Sequence, residues 1–288
     1  MKQRLVLLVS ILIMATAPLT KAENGSLSIP KTIEAGNAFS IQSTGNGKAI
    51  LYIIGPTQVI RRDVKLGEIT GFPADSLFNA GHYLVILVGS SFTINEVFDV
   101  VPASKPANLS FLAKPSRLQV GLHDGISGSV YVFDAYKNLI SVPVPISFEL
   151  TNPSHAVQKH TVITRNGVAW TRMDSTAQQG IGRFESRIGD VASTRIVEQV
   201  PGDPCRIKMN AQRSGNQLQL TTEPVRDCNS NAVPDGTIVT FTSTYPGGQL
   251  TVDVPLKLGI ATVIIPAHTG ALITVASGVV LGNQIHWN

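Results

Sequence analysis

DCNSNAVPDGTIVTF, running from Asp227 to Phe241, decides the fold because the chain carries it twice. Its echo is DAYKNLISVPVPISF, Asp134 to Phe148, in which the Asp, the Asn four residues on and the closing Phe recur at an offset of 93 residues. A period of that length points to a repeated domain. Each copy reads as a strand ending at the Asp, a polar turn, and a second strand with Thr or Ser outward and Ile, Val and Phe inward. The expectation is a hairpin of a β-sandwich. The repeat continues past it: Gly167-Val-Ala169 matches Gly259-Ile-Ala261, and Gly180 before a strand matches Gly270.

Working outward, the N-terminus sets the compartment. Met1-Lys2-Gln3-Arg4 is basic, Leu5 to Leu19 is apolar, and Thr20-Lys21-Ala22 supplies small residues for cleavage after Ala22, the three-part pattern of a secretory leader. The competing reading is a retained membrane helix, but spanning takes about 20 apolar residues and this run is shorter. Lys2, Arg4 and Lys21 leave with the leader, so three of the 23 basic residues go and the remainder nearly balance 19 acidic ones. That balance argues against nucleic acid as a partner, which needs a clustered cation surplus. Arg61-Arg62, the nearest approach to a cluster, is offset by Asp63 and reads as a solvated strand end.

Three stretches follow the leader. Residues 23–102 hold strand patterns such as Ala49 to Ile54, and Leu77-Phe-Asn-Ala-Gly-His-Tyr83 leads into another. A Tyr at that step resembles the tyrosine corner of immunoglobulin-like sandwiches; the plainer reading is a core tyrosine beside a turn. The Pro-containing segments 101–106 and 201–204 divide off residues 103–201 and 202–288. No useful helical periodicity appears, so the expected class is all-β, in tandem sandwiches. Cys205 and Cys228 are the only two cysteines; in an exported chain their placement favours one disulfide, the alternative being two free thiols.

The run Asp227, Asn231, Val233-Pro-Asp-Gly-Thr237 and Thr240-Phe241, followed by Gly259-Ile-Ala-Thr-Val263, resembles the bacterial immunoglobulin-like repeats of the Big-1 type found in invasin and intimin-like surface proteins. The resemblance covers roughly the last 90 residues, is partial for residues 107–200, where Leu139 to Pro145 lacks the Asp-Gly turn, and is architectural for residues 24–102. It implies rods, spacers and binding platforms.

Reactive constellations are weak. Asp227-x-Asn229-x-Asn231 alternates oxygen side chains as a calcium loop does, but lacks the closing bidentate acid, so a turn is expected. His155 and His160 have no Cys or acid nearby to complete a zinc set. Gly125-Ile-Ser-Gly-Ser129 is not a nucleophile elbow. Trp170 is expected in a core or inter-domain contact, and Trp287 packed on the last strand. No catalytic, cofactor or metal residues follow; the singled-out residues are structural, namely Tyr83, Asp134, Phe148, Asp227, Asn231 and Phe241, with Cys205 and Cys228. The expected role is an exported, non-enzymatic structural, adhesion or protein-binding protein, periplasmic or secreted, with residues 24–102 as contact surface and a protein or cell-surface macromolecule as partner. The alternative is a carbohydrate-binding or accessory subunit of an extracytoplasmic enzyme or secretion system.

Overall fold

In the computed structural model, residues 25–288 are described; they form strands, turns and loops without a helix. The leader expected over residues 1–22 lies outside the described residues. Among those described, no helix is long and apolar enough to cross a membrane. The chain divides into two compact units between Val101 and Pro102.

The first unit contains β1 (Leu27–Ser28), β2 (Thr32–Glu34), β3 (Phe39–Ser43), β4 (Lys48–Ile54), β5 (Val59–Lys65), β6 (Ile69–Phe72), β7 (Gly81–Val88) and β8 (Thr93–Val101). They form a three-stranded sheet, β1-β3-β6, and a five-stranded one, β2-β8-β7-β4-β5. Strict alternation drives this: β4 buries Ala49, Leu51 and Ile53, and β7 buries Tyr83, Val85 and Leu87. Aromatic rings fill the gap between the sheets, Phe39 stacking on Phe72 at 4.6 Å and Tyr83 tilting against Phe98 at 5.4 Å. The Tyr83 hydroxyl donates to the Asn79 carbonyl at 2.9 Å, and burial pushes that phenol up from its ordinary range. Its ring lies on Gly55, where a Cβ would come within 2.1 Å of ring carbon. Arg61 and Arg62 are mid-strand in β5, not at a strand end. Arg62 crosses to the other sheet, donating to the Gly71 carbonyl at 2.7 Å and covering the Phe72 ring at 4.6 Å.

The second unit holds two hydrophobic cores. The first is enclosed by β9 (Asn108–Lys114), β10 (Arg117–Gln119), β11 (Ile126–Phe133), β12 (Pro145–Thr151), β13 (Val157–Ile163), β14 (Val168–Met173), β15 (Gly180–Ile188) and β16 (Val191–Val200). Its sheets are β14-β11-β9 and β10-β16-β15-β12-β13, the same order as in the first unit. Phe111, Phe148 and Phe184 meet at its centre, with Phe111 edge-on to Phe184 at 5.1 Å. Each ring withdrawn from water stabilises the fold by about 1.5–3 kcal/mol. Gly128 leaves the room for them, since a Cβ there would lie 2.6 Å from the Phe184 ring.

The remaining strands are β17 (Pro204–Arg206), β18 (Met209–Ser214), β19 (Gln217–Thr222), β20 (Arg226–Asp227), β21 (Ile238–Tyr245), β22 (Gly248–Pro255), β23 (Thr262–Pro266), β24 (Ala271–Ser277) and β25 (Val280–Trp287). They make the sheets β18-β19-β23 and β22-β21-β24-β25, with β17 paired to β20. Phe241 sits in this core. The chain is therefore all-β, built of tandem immunoglobulin-like β-sandwiches. Cys205 and Cys228 are joined by a disulfide, which ties β17 to the turn after β20.

The strands flanking the repeated stretch do not form a hairpin. β11 pairs with β9 and β14, whereas β12 pairs with β13 and β15, so residues 134–144 carry the chain from one sheet to the other. In the third sandwich the flanking strands likewise pair in different sheets, β20 with β17 alone and β21 with β22 and β24. Both flanking strands bury one face, and burying both faces of the pair around one core requires opposite sheets.

A second pair of matched turns differs informatively. Asn166 and Gly167 have φ of 49° and 79°, and Leu258 and Gly259 have 51° and 75°. Asn tolerates this left-handed region, whereas Leu is strained in it by about 1 kcal/mol. Leu258 is also 91% exposed, so its side chain recovers little by packing. The turn is held from outside by Asp235, whose Oδ1 accepts the Gly259 N–H at 3.1 Å. Leu258→Asn is expected to stabilise the chain by about 1 kcal/mol in urea unfolding; an unchanged or lowered midpoint would contradict the strain.

Candidate functional site

The repeated Asp is the hub of each sandwich in the second unit. Asp134 is wholly buried and Asp227 is 5% exposed. Asp134 Oδ1 accepts the N–H groups of Tyr136 and Asn138 at 2.9 and 2.8 Å, while Oδ2 accepts the Asn138 side-chain amide at 2.8 Å and the Ala103 N–H at 2.9 Å. Asp227 repeats the set: Oδ1 takes Asn229 and Asn231 N–H at 2.9 and 2.8 Å, and Oδ2 takes the Asn231 amide and the Gly202 N–H, both at 3.0 Å. Lys137 and Ser230, three residues after each Asp, have φ of 68° and 69°. Each carboxylate therefore shapes its own turn and fastens the segment that enters its sandwich. The Asp227 carboxylate of the alternating run at 227, 229 and 231 closes this turn, occupied by backbone and amide N–H groups.

Asn231 adds a contact to the preceding sandwich. Its side-chain amide donates to the Ala177 carbonyl at 2.7 Å, and its Oδ1 accepts the Gln179 N–H at 3.1 Å. Asn229 lies against Gly121, where a Cβ would come within 2.8 Å of the Asn229 amide. The turn after β20 is thus hydrogen-bonded to the loop between β14 and β15. Electrostatics agree with the geometry at Asp227. Burial, the largest influence, raises its pKa, but the bonds from Gly202, Asn231 and Asn229 together outweigh it and hold the carboxyl below its usual range.

A second cluster joins residues about 50 positions apart in the chain. His123 Nδ1 lies 2.8 Å from Asp174 Oδ1, which also accepts the Asp124 N–H at 2.7 Å. One ligand atom from each of His123, Asp124 and Asp174 falls within 4.8 Å of the others, a donor set able to hold a divalent cation. The Asp124 N–H is the main cause lowering the Asp174 pKa, followed, after an opposing desolvation, by His123. These contacts already clasp the loop after β10 to the loop after β14. Sequence reading missed the group because no local spacing connects positions 123 and 174.

The other sequence candidates are dispersed. His160 Nδ1 is hydrogen-bonded to Thr171 at 2.8 Å, and His155 sits in a turn with φ of 62°. Ser127 Oγ donates to the Lys114 carbonyl at 3.0 Å on a regular strand, with no elbow. Trp287 packs partly against the third core. Trp170 contradicts its expected packing: it is 64% exposed, because it alternates with Ala169 and Thr171, which take the inward positions of β14.

Set beside known proteins, the sequence matches no family model and no curated protein. Among solved structures it is similar to invasin, a bacterial integrin-binding protein, at 12% identity and TM-score 0.47, over 92% of this chain and 60% of that one. It is also similar to domains A168–A170 of titin, at 13% identity and TM-score 0.37, over 92% and 99%. A third similarity is to a β-glycosidase from Bacteroides vulgatus, at 12% identity and TM-score 0.30, over 62% and 25%. The chain thus spans about 60% of the invasin structure's length. Likeness at this level leaves the reading to the chain's own sheets and side chains.

Two outcomes test the hub. Asp227→Asn is expected to cost about 2–3 kcal/mol near neutral pH, because it replaces a buried acceptor of several N–H groups by an amide. The native pKa lies below the unfolded one, so the stabilisation is complete above about pH 4 and fades as pH falls through the native value; the gap between wild type and variant in urea midpoints should narrow on acidification. Asn231→Ala should raise the rate of limited proteolysis within residues 201–204 and lower global stability by about 1.5–3 kcal/mol, because the buried Asp227 carboxylate also loses an amide donor. Unchanged cleavage would show that the contact does not restrain the junction.

Proposed function

We propose that this is an exported, non-enzymatic protein in which immunoglobulin-like sandwiches of the Big-1 kind, spanning residues 23–102, 103–201 and 202–288, present a binding surface in the bacterial envelope or outside the cell. The observation that carries this reading is the Asp227–Asn231 turn, which spends a buried carboxylate and an amide on fixing a junction between sandwiches. A junction held that firmly limits the orientational freedom lost when a partner is captured. The Cys205–Cys228 disulfide fits an oxidising compartment, where such bonds persist. The Val-Pro-Asp-Gly-Thr turn at residues 233–237, with Asp235 supporting the 258–259 turn, supports the Big-1 assignment.

Residues 24–102 supply the contact surface in this proposal. That sandwich exposes Val59, Ile69 and Val97, and the edge strand β5 leaves one side of its backbone open to strand addition by a protein partner. The second unit has its own cores and can be tested alone. Removal of residues 24–102 is expected to abolish capture of envelope proteins by the immobilised mature chain, with the remainder still folded by circular dichroism. Undiminished capture by residues 103–288 would move the contact surface elsewhere.

A further inference from the structure

The outer face of the β14-β11-β9 sheet is a grid whose chemistry is set by strand register. Cross-strand pairing lines up Lys114, Ser127 and Arg172 in one row. The next row is Leu112, Ser129 and Trp170, and the third is Ser110, Tyr131 and Val168. Cross-strand partners share a face, and positions two apart on one strand share it as well. Trp170, Leu112 and Tyr131 are therefore exposed on one surface, at 64%, 48% and 45%. Trp170 and Tyr131 are diagonal neighbours, roughly 7–8 Å apart along the backbone. Beyond Trp170 the surface dips into a groove of about 830 Å³ between β14 and β13, walled also by Thr161, Ile163 and Arg165.

We propose that this face binds an acidic polysaccharide, with pyranose rings lying on Trp170 and Tyr131 and their carboxylate or sulfate groups held by Lys114 and Arg172. The flat apolar side of a sugar ring fits an exposed indole or phenol, and its hydroxyls find partners in the serines between. The charge is one-sided: the grid holds two cations and no carboxylate, and Arg165 adds a third cation at the groove. The nearest acid along β14, Asp174, is engaged by His123 and the Asp124 N–H. The central strand β11 is paired on both sides, so a ligand at its centre must lie on the face, which excludes strand addition there. A hydrogen-bonded sheet also holds the aromatics in place before binding, so little ordering cost remains. Cations beside aromatic rings also suit single-stranded nucleic acid; the disulfide in the neighbouring sandwich favours a compartment where glycans are the more accessible polyanion. The inference stands apart from the role given to residues 24–102.

The test is calorimetric titration of the mature chain with hexagalacturonate, a neutral hexasaccharide and an oligothymidylate. Hexagalacturonate is expected to bind, with Trp170→Ala weakening it about tenfold and Tyr131→Ala acting in the same direction. Lys114→Gln combined with Arg172→Gln should erase the preference for the acidic over the neutral sugar. All four side chains are exposed, so thermal unfolding should be unchanged, which separates lost binding from lost fold. Failure to bind hexagalacturonate, binding indifferent to Trp170→Ala, equal affinity for the neutral sugar, or tighter binding of oligothymidylate would each overturn the proposal. None of these results bears on the truncation of residues 24–102.

Discussion

A carboxylate removed from water must be surrounded by donors, or the fold that buries it does not form. Asp134 and Asp227 meet this constraint identically, drawing N–H groups from their own turn, from the Asn four residues on, and from the incoming segment. The rest of each sandwich follows from that knot. It ends one strand, reverses the chain with a residue at positive φ, and launches the next strand into a different sheet. Around it the repeats agree in backbone detail: Val132 and Val225 accept the N–H of Ile140 and Val233, and donate to Gly167 and Gly259.

The same economy explains why the chemistry of this chain lies on surfaces. Inward positions of every sandwich are taken mostly by Ile, Leu, Val and Phe, and the rings of Phe111, Phe148 and Phe184 fill the middle of the second one. What varies between sandwiches is what faces outward or lies at the ends. The first carries Tyr83 at the start of β7. At the corresponding place the second has Gly182, and the Gln199 amide fills the space, bonded to Asn152 and Thr176. The His123, Asp124 and Asp174 clasp and the Trp170 face belong to the second sandwich, and the disulfide to the third. A common frame carries individual surfaces, so function is argued from those surfaces.

The spacing of Asp, Asn and Phe over 93 residues determined by itself that a β unit recurs, and the alternation in stretches such as Ala49 to Ile54 determined which side chains are inside. These signals are local: a strand facing a core must alternate with period two, and a turn at positive φ favours a small or amide residue. Only the tertiary structure decided that the strands flanking each repeated turn pair in different sheets, because period two marks a buried face without saying which partner covers it. Edge strands such as β5 and β6 were illegible for a related reason, since a solvated face has no need of a pattern. The position of Trp170 outside, and the meeting of His123 with Asp174, rest on register and on loops brought together across the sandwich, where distance along the chain carries no information about distance in space.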